Sequence, residues 1–109
     1  MIQKDTLKIG EKIFNSRLMI GTGKYQTPNI MIDSLESSNS EIITVAIRRI
    51  KNIDKDSNLL QYINWSKYWM LPNTAGCKNS EEAIRIALLG RELAKLSGQE
   101  DNNFVKLEV

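Results

Sequence analysis

Hydrophobic and polar residues alternate in two short segments near the beginning of the chain, and their spacing predicts a β-hairpin. Leu7–Ile9 and Lys12–Phe14 flank residues 10–11, a Gly-Glu pair suited to a two-residue turn. A continuous apolar run follows at residues 18–20 and ends at Gly21. Such a run is typical of a strand that is buried on both faces, so we expect the first core strand here.

The pattern then changes to a helical period and back to a strand. Thr27 is a suitable N-cap and Pro28 suits the first helical position, which together predict a helix over residues 27–38. The apolar stripe of this helix consists of Ile30, Met31, Ser34 and Leu35. Residues 41–47 are rich in β-branched side chains and predict the second core strand.

The middle of the chain is its least regular part. Residues 48–67 read mainly as a polar loop, with one short helical turn that packs inward through Leu59, Leu60 and Ile63. Three aromatic residues crowd the end of this stretch, and we interpret them as packing over an element boundary, with ligand stacking as the alternative: Trp65, Tyr68 and Trp69. Residues 68–71 predict the third core strand, which Pro72 should stop.

A long helix and a last strand complete the pattern. Asn79 can cap the helix with Glu82 three residues later, and Gly98 ends it. Its apolar stripe consists of Ala83, Ile84, Ala87, Leu88 and Ala94. Residues 104–109 alternate again and predict the fourth core strand. One face of that strand would carry Phe104, Lys106 and Glu108, and the other Val105, Leu107 and Val109.

Strands alternate with helices in this order, which indicates a parallel α/β sheet. A (β/α)8 TIM barrel takes about 250 residues, or roughly 31 per unit, so 109 residues hold roughly three and a half units. We therefore expect one domain over residues 1–109: the first half of a TIM barrel, with the N-terminal hairpin and parallel strands 1 to 4, truncated at the fourth core strand. The alternative is a complete small open α/β sheet, which would normally cover its last strand with a helix.

The composition is that of an ordinary globular protein. The chain is 41% hydrophobic and 26% charged with a net charge of +2, so nucleic acid is not an expected partner. A single cysteine excludes an internal disulfide, and the lack of histidine leaves no common zinc ligand set. We expect a cytoplasmic location and no metal. Neither a signal core nor a membrane helix is predicted, so a membrane is not an expected partner.

The glycine-rich residues 21–24 follow the first core strand directly. A nucleotide phosphate loop needs glycine where Leu18 stands and Ser or Thr where Tyr25 stands, so a nucleoside triphosphate site is rejected. Two interpretations are left: a loop at the end of a strand, where barrel active sites are assembled, or a turn that only connects two elements.

Two further strand ends carry polar candidates. Arg48 shares a strand face with Thr44 and Ala46, where its guanidinium could bind a phosphate or carboxylate, but a surface salt bridge is the more common use of an arginine. Residues 71–77 end in small residues whose backbone amides can hold an anion. Cys77 reads as a packing residue rather than a nucleophile, because no histidine is present to activate it.

Lys106 and Glu108 carry the most specific chemistry. On a strand they point to the same face, roughly 7 Å apart along the backbone. Inside a barrel, a dehydrated lysine amine can attack a carbonyl and form an imine, and the carboxylate can move protons at the adjacent carbon. On a solvated edge the same residues are alternating surface charges, and spacing alone favours that interpretation.

Taken together, several blocks resemble bacterial thiazole synthase in order and approximate spacing. They are residues 16–18 (Ser-Arg-Leu), 21–24 (Gly-Thr-Gly-Lys), 44–46 (Thr-Val-Ala) with Arg48-Arg49, 71–77 (Leu-Pro-Asn-Thr-Ala-Gly-Cys), 81–83 (Glu-Glu-Ala) and 106–109 (Lys-Leu-Glu-Val). The resemblance implies a (β/α)8 barrel of the thiamine pathway. Such an enzyme builds thiazole phosphate from 1-deoxy-D-xylulose 5-phosphate, dehydroglycine and the thiocarboxylate of a small sulfur-carrier protein.

The resemblance also implies roles for two residues. Lys106 matches the family lysine that forms the imine, or Schiff base, with the sugar ketone. Glu108 matches a carboxylate that moves protons as the imine rearranges and sulfur is delivered. The family is a transferase that needs no cofactor, metal or nucleotide for this step, and the implied partners include an enzyme that produces dehydroglycine and other copies in a homo-oligomer.

The chain departs from the family after the fourth predicted strand. In the family, later strands supply a further acid or base and glycine-rich loops for the sugar phosphate. We therefore expect a fragment that is inactive alone. The alternatives are a half barrel that assembles as an oligomer and binds a partner or a sugar phosphate, and a short non-catalytic α/β module in which Lys106 and Glu108 form a solvated edge.

Overall fold

The computed structural model describes residues 5–23, 25–49 and 60–108. Its elements, in chain order, are β1 (Leu7–Ile9), β2 (Lys12–Phe14), β3 (Met19–Gly21), α1 (Pro28–Ser38), β4 (Ile42–Ala46), a 3-10 helix (Ile47–Arg49), β5 (Trp69–Asn73) and α2 (Ser80–Leu96). β1 and β2 form an antiparallel hairpin, and β3, β4 and β5 form a parallel sheet in that order. The prediction of an α/β fold with a parallel sheet is confirmed.

The predicted hairpin is present. Leu7 pairs with Phe14 and Ile9 with Lys12, and Gly10 in the turn has a φ of 58°, in the left-handed region that favours glycine. Phe14 is only 1% exposed and packs against the first residues of β4 and β5. The hairpin therefore closes the end of the sheet at which β4 and β5 begin.

The parallel sheet has two faces with different cover. One face, here called the helix face, packs under α1 and α2, and this cluster includes Met31, Leu35, Ile43, Val45, Met70, Ile86 and Ala94. The opposite side, here called the hairpin face, packs against the hairpin through Phe14, Ile42, Trp69 and Leu71. Phe104 joins that cluster, with its ring centroid 5.5 Å from that of Trp69. The hairpin thus covers the amino ends of the strands on this face.

Helix α1 begins as its sequence predicts. Thr27 Oγ1 accepts the N–H of Ile30 at 3.2 Å, and Pro28 occupies the first helical position. Met31 and Leu35 are buried as expected, whereas Ile30 is 45% exposed. The buried stripe is therefore narrower than the sequence suggested. The strand predicted to follow this helix is confirmed as β4.

Strand β3 lies at the predicted apolar run but is not buried on both faces. Leu18 and Met19 are 52% and 38% exposed, and Ile20 is half-buried. Within the described ranges β3 pairs with β4 alone, so β3 is an edge strand. Its side chains have a neighbouring strand along one edge and not along the other. The prediction of a doubly buried strand is wrong for this reason.

Strand β5 continues through Pro72, contrary to the prediction that the proline ends it. The Trp69 amide faces β4 and donates to the Glu41 carbonyl at 2.7 Å. Met70 and Pro72 face the opposite edge, where the Pro72 carbonyl accepts the Lys106 N–H at 2.8 Å. Because the backbone of residue 72 points away from β4, the ladder with β4 needs no N–H from it, and proline is tolerated there.

In the described part of the predicted fourth strand, residues 104–108, pairing is reduced to one parallel bridge at Lys106. Two buried amide side chains occupy the edge of β5 ahead of this bridge. Gln99 Oε1 accepts the Met70 N–H at 3.1 Å, and Asn102 Nδ2 donates to the Met70 carbonyl at 2.7 Å. Because these side chains satisfy the backbone that a strand would otherwise pair with, main-chain pairing starts only at Lys106.

Helix α2 has the predicted ends but a different buried face. Asn79 Oδ1 accepts the Glu82 N–H at 2.8 Å, and Gly98 follows the helix with a φ of 94°. Two members of the predicted stripe, Ile84 and Leu88, are 62% and 52% exposed. Ala94, also a member of that stripe, is buried as predicted, and the other two buried positions are Ile86 and Gly90. Gly90 lies at the centre of this buried face and lets α2 approach β5 closely. This close approach explains why the face that contains Gly90 packs on the sheet.

The stretch before β5 is described from residue 60 onward. Residues 50–59, with Leu59 of the predicted helical turn, lie outside the described ranges. Leu60 is helical, and it and Ile63 are buried, 8% and 5% exposed, so these two residues pack inward as predicted. Trp65 Nε1 donates to the Leu60 carbonyl at 3.0 Å, and the other two aromatic side chains of the stretch are buried in the two hydrophobic clusters. These aromatic residues pack as predicted, and they also line the cavity described in the next subsection, so ligand stacking stays an untested alternative.

Gly90→Ala is expected to destabilise the protein, although alanine favours helices. A Cβ at residue 90 would lie 2.5 Å from Pro72 Cβ and 3.2 Å from Ile47 Cγ1, so α2 would have to move away from β5. Overpacking costs about 1 to 3 kcal/mol, against a gain of about 1 kcal/mol in helix propensity. Because the Pro72 ring is rigid, the overpacking cost should lie in the upper part of its range, and urea unfolding should show a net fall of about 1 to 2 kcal/mol in the free energy of unfolding.

The matched control for this variant is Leu88→Ala in the same helix. Leu88 is 52% exposed, so its truncation should change the free energy of unfolding by less than about 0.5 kcal/mol. A Gly90→Ala variant as stable as the wild type would contradict the close packing of α2 on Pro72.

Candidate functional site

The charged pair predicted from the sequence lies at the carboxyl end of the parallel sheet. Lys106 forms its bridge with Asn73, the last residue of β5, and Asn73 is in register with Ala46, the last residue of β4. In α/β folds the carboxyl ends of parallel strands, and the loops that follow them, are the usual location of binding and catalytic sites. The pair therefore occupies a favourable place for chemistry.

Lys106 and Glu108 point in the same direction, as predicted. Lys106 Nζ lies 3.5 Å from Glu108 Oε2, and each side chain is 43% exposed. Leu107 between them is 74% exposed, and Val105 is half-buried. Val109, which was assigned to the same face as these two, lies outside the described ranges. The expectation that Lys106 and Glu108 share a face is confirmed, although the segment is not a regular strand.

This ion pair determines what the two groups can do. A lysine ammonium is not a nucleophile, so Lys106 must lose a proton before it can attack a carbonyl, and the Glu108 carboxylate is placed to receive that proton. Water screens a pair that is 43% exposed on both sides, and such pairs are worth about 0 to 1 kcal/mol. The pair can therefore separate at small cost when a ligand binds.

Thr74 holds the backbone of this pair, and sequence reasoning did not single it out. Its Oγ1 accepts the Glu108 N–H at 3.0 Å and donates to the Glu108 carbonyl at 3.1 Å. Its own N–H donates to the Lys106 carbonyl at 3.3 Å, and the residue is 2% exposed. The sequence signal for Thr74 was its place among small residues directly after a strand, which predicts a loop but no individual contact.

The loop after β5 is a tight turn rather than an open anion cradle. Asn73 Oδ1 accepts the Ala75 N–H at 3.1 Å, and the Cys77 N–H donates to the Thr74 carbonyl at 3.1 Å. These two amides are already bonded inside the loop, so they do not support the anion site that its small residues suggested. Cys77 is half-buried against the helix-face cluster, in agreement with a packing role.

Arg48 forms a salt bridge, the simpler of its two predicted uses. Its Nε lies 2.9 Å from Glu82 Oε1 and joins the turn after β4 to the first turn of α2. The guanidinium also crosses Gly76 so closely that any Cβ at residue 76 would collide with it. Arg48 lies in the 3-10 helix and not on β4, so the strand alternation that placed it at the rim of a face does not hold.

Residues 21 and 22 contact the end of β4. Gly21 is in register with Thr44, and the Thr22 hydroxyl donates to the Thr44 carbonyl at 3.5 Å. A Cβ at residue 21 would meet Thr44 Oγ1 at 3.6 Å, an ordinary contact, so no neighbour requires glycine there. Lys24 lies outside the described ranges. These contacts join the end of β3 to the end of β4, and the two interpretations of the segment stay predictions.

A cavity of about 330 Å³ lies at the other end of the sheet, beside the hairpin and away from the charged pair. Lys12 Nζ sits 4.2 Å from the centroid of the Trp69 ring, a cation–π contact at the cavity wall. Lys67, Glu41 and Asp101 also line the cavity. Because cations and carboxylates are mixed there, the charge of the cavity favours no class of ligand.

Two kinds of feature are absent from the part of the chain that the structure describes. No three acidic or cysteine side chains come together there in a way that could hold a metal ion. No helix within the same ranges combines the length and the apolar character needed to cross a membrane.

The Glu82 carboxyl has a pKa below its ordinary value. The largest cause is the hydrogen bond that Glu82 Oε2 accepts from the Lys78 N–H at 3.1 Å, while partial burial acts in the opposite direction. The positive charges of Arg48, Arg85 and Lys78 lower the pKa further. Hydrogen bonds to a carboxylate and cations near it favour its ionised form. Ionised Glu82 also stabilises α2, because it lies in the first helical turn.

Glu82→Gln is expected to reduce the sensitivity of folding to acid. Because the folded-state pKa lies below the ordinary value of 4.5, the stabilisation by Glu82 is complete above about pH 4.5 and is lost as the pH falls through the folded-state pKa. Between about pH 7 and pH 3, the wild type should therefore lose more stability than Glu82→Gln in urea unfolding. Glu92→Gln, at an exposed position of the same helix outside its first turn, should follow the wild type. Equal acid sensitivity of the wild type and Glu82→Gln would rule out this role.

The chain is similar to known proteins over nearly its whole length. Residues 8–109 match the family model described as thiazole biosynthesis protein ThiG. A thiazole synthase of Prochlorococcus marinus (strain MIT 9215) is 71% identical over 104 residues, which cover 95% of this chain and 39% of the relative. The thiazole synthase of Pyropia yezoensis is 62% identical over 107 residues, 96% of this chain and 39% of that relative. The chain therefore spans about two fifths of the length of these curated relatives.

Proposed function

Because the chain belongs to the thiazole biosynthesis protein ThiG family, we propose that it acts in the thiazole synthase reaction of thiamine biosynthesis. In this reaction 1-deoxy-D-xylulose 5-phosphate, dehydroglycine and sulfur from a sulfur-carrier thiocarboxylate give thiazole phosphate. The observation that carries the proposal is the pair of Lys106 Nζ and Glu108 Oε2, 3.5 Å apart at the carboxyl end of the sheet. An amine and a carboxylate at this distance are the two groups that imine chemistry needs.

Lys106 is the proposed nucleophile. After its ammonium proton passes to Glu108, the neutral amine adds to the ketone carbon of the sugar phosphate. The resulting carbinolamine loses water, and a carbon–nitrogen double bond to Nζ forms. The half-exposed position of Lys106 supports this role, because a ligand can reach the amine from solvent.

Glu108 is the proposed proton carrier. The imine nitrogen withdraws electrons, so hydrogens on the neighbouring carbon become more acidic. The Glu108 carboxylate lies on the same side of the chain as Nζ and can remove such a proton, then return it as the imine rearranges and sulfur is delivered. Holding the base beside the imine makes the proton transfer effectively intramolecular.

We propose that residues 1–109 form one domain, the first half of a (β/α)8 barrel. Support comes from the parallel order β3-β4-β5 and from the helices on one face of the sheet. The parallel bridge of Lys106 with Asn73 also lies where a fourth barrel strand would pair with β5. The hairpin on the other face would close the amino end of the barrel, which leaves the carboxyl end for the active site.

The proposed partners are the three substrates, an enzyme that produces dehydroglycine, and other copies of this chain in a homo-oligomer. The proposed location is the cytoplasm. Imine chemistry draws on an amine, a carboxylate and the substrates, so no cofactor forms part of the proposal. The family resemblance supports these assignments.

Borohydride trapping tests the role of Lys106. The chain is incubated with 1-deoxy-D-xylulose 5-phosphate, borohydride reduces any imine to a stable amine, and mass spectrometry of peptides locates the adduct. We expect an adduct on Lys106 that is absent from Lys106→Ala. The adduct should form about tenfold or more slowly in Glu108→Gln, since general acid–base catalysis contributes at least this much. The complete reaction to thiazole phosphate is expected to be absent from the chain alone.

Two controls make the trapping experiment decisive. Lys8→Ala removes an exposed lysine of β1 and should leave the adduct unchanged. The full-length Prochlorococcus marinus relative, treated in parallel, shows that the reagents trap a thiazole synthase. An adduct spread evenly over exposed lysines, or none on this chain while the relative is labelled, would contradict the role of Lys106 and favour a non-catalytic module.

A further inference from the structure

We propose that Thr74 is a positioning residue, which holds the Lys106 and Glu108 side chains on the same side of the chain through the backbone between them. Its importance for imine chemistry rests on the function proposed above. Its effect on the geometry of the pair does not, since that effect follows from hydrogen bonds within this chain.

The Thr74 hydroxyl binds both polar groups of one residue. It accepts the Glu108 N–H at 3.0 Å and donates to the Glu108 carbonyl at 3.1 Å. A hydroxyl has one proton and two lone pairs, so it can do both at once, whereas the methyl group of a valine can do neither. The orientation of the backbone at residue 108 is therefore set from both sides.

Main-chain hydrogen bonds hold the backbone at Lys106, and the Thr74 hydroxyl holds it at Glu108. The Lys106 N–H donates to the Pro72 carbonyl at 2.8 Å, and the Lys106 carbonyl accepts the Thr74 N–H at 3.3 Å. Two residues further on, the hydroxyl of the same Thr74 holds Glu108. One residue thus fixes the backbone on both sides of Leu107, and this fixes the relative direction of the two charged side chains.

Thr74 acts through other residues and not on a ligand. It is 2% exposed, so its hydroxyl is removed from solvent, whereas the side chains of Lys106 and Glu108 are each 43% exposed. Loss of the hydroxyl would free the backbone of residue 108 to rotate. The Glu108 carboxylate would then leave its place 3.5 Å from Nζ.

Reductive methylation tests the proposal without the sugar. Formaldehyde and cyanoborohydride methylate lysines through an imine, and mass spectrometry gives the ratio of labelling at Lys106 to that at Lys8, an exposed lysine of β1. The ratio is measured across about pH 6 to pH 9 in the wild type, Thr74→Val, Thr74→Ser, Glu108→Gln and the Thr74→Val/Glu108→Gln double variant. Thermal unfolding of each protein is followed in parallel.

The effects of Thr74→Val and Glu108→Gln on the labelling ratio are expected to be non-additive. Glu108→Gln should change the ratio about two- to fivefold, as expected for removing the carboxylate of a half-exposed ion pair. Thr74→Val should give most of the same change and the same pH profile, the double variant should resemble Glu108→Gln alone, and Thr74→Ser should resemble the wild type. A merely structural threonine would lower the melting temperature without moving the ratio toward that of Glu108→Gln.

Hydrogen exchange of the wild type gives a second measurement that needs no folded variant. The Glu108 amide should exchange about tenfold or more slowly than the Leu107 amide, because the hydroxyl of Thr74 protects it. A wild-type labelling ratio in Thr74→Val, independent effects of Thr74→Val and Glu108→Gln, or an unprotected Glu108 amide would each overturn the proposal.

The two proposals fail separately. If the sugar phosphate gives no adduct but Thr74→Val reproduces the labelling of Glu108→Gln, the positioning role stands and the thiazole synthase role of this chain fails. If the sugar adduct forms on Lys106 and Thr74→Val labels as the wild type does, the positioning role fails and the enzymatic role stands.

Discussion

The edge of β5 that faces away from β4 must have its backbone hydrogen bonds satisfied, and the way the chain does this decides where its charged pair lies. An unpaired buried backbone group costs about 1 to 3 kcal/mol, so each position along this edge needs a partner. Gln99 and Asn102 bind the N–H and the carbonyl of Met70, and the Lys106 N–H donates to the Pro72 carbonyl. Beyond the end of β5, the Thr74 hydroxyl accepts the Glu108 N–H. The pair is therefore placed by a continuous set of hydrogen bonds.

The same strand connects the site to packing on the helix face. Pro72 offers no N–H toward β4 and none is needed there, while its ring lies against Gly90 at the centre of the buried face of α2. This contact sets the distance of α2 from the sheet. The first turn of α2 carries Glu82, whose carboxylate binds Arg48 after β4 and accepts the Lys78 N–H in the loop after β5. Close packing beneath the sheet and the arrangement of loops at its carboxyl end are thus parts of one structure.

Local signals predicted much of this fold. The hairpin follows from alternation around a glycine-containing turn, and α1 and α2 begin at caps that use Thr27 and Asn79 as expected. A two-residue spacing in extended backbone predicts that Lys106 and Glu108 point the same way, and they do. These features depend on a few neighbouring residues, and this is why the sequence alone could show them.

The features that sequence reasoning missed depend on distant parts of the chain. The exposure of β3 depends on which strands lie beside it, and the buried face of α2 depends on the room that Gly90 leaves for Pro72. Gln99 and Asn102 replace strand pairing only because they meet Met70, some thirty residues earlier. Thr74 gave no signal of its own, since a threonine in a loop is common and its partner, Glu108, lies 34 residues away.

The position of the charged pair does not by itself make the Lys106 amine reactive, because both side chains are exposed to water. Imine formation needs a neutral amine, and loss of hydration is the general means by which proteins favour the neutral form of a lysine. At 43% exposure water still reaches both Lys106 and Glu108, and the hairpin covers only the opposite end of the same face. Because an exposed ion pair is worth about 0 to 1 kcal/mol, it offers little resistance to a ligand or a further layer of protein that excludes this water. The described residues therefore fix where the amine and the carboxylate stand, and the imine role proposed for Lys106 would also require a bound ligand to exclude this water.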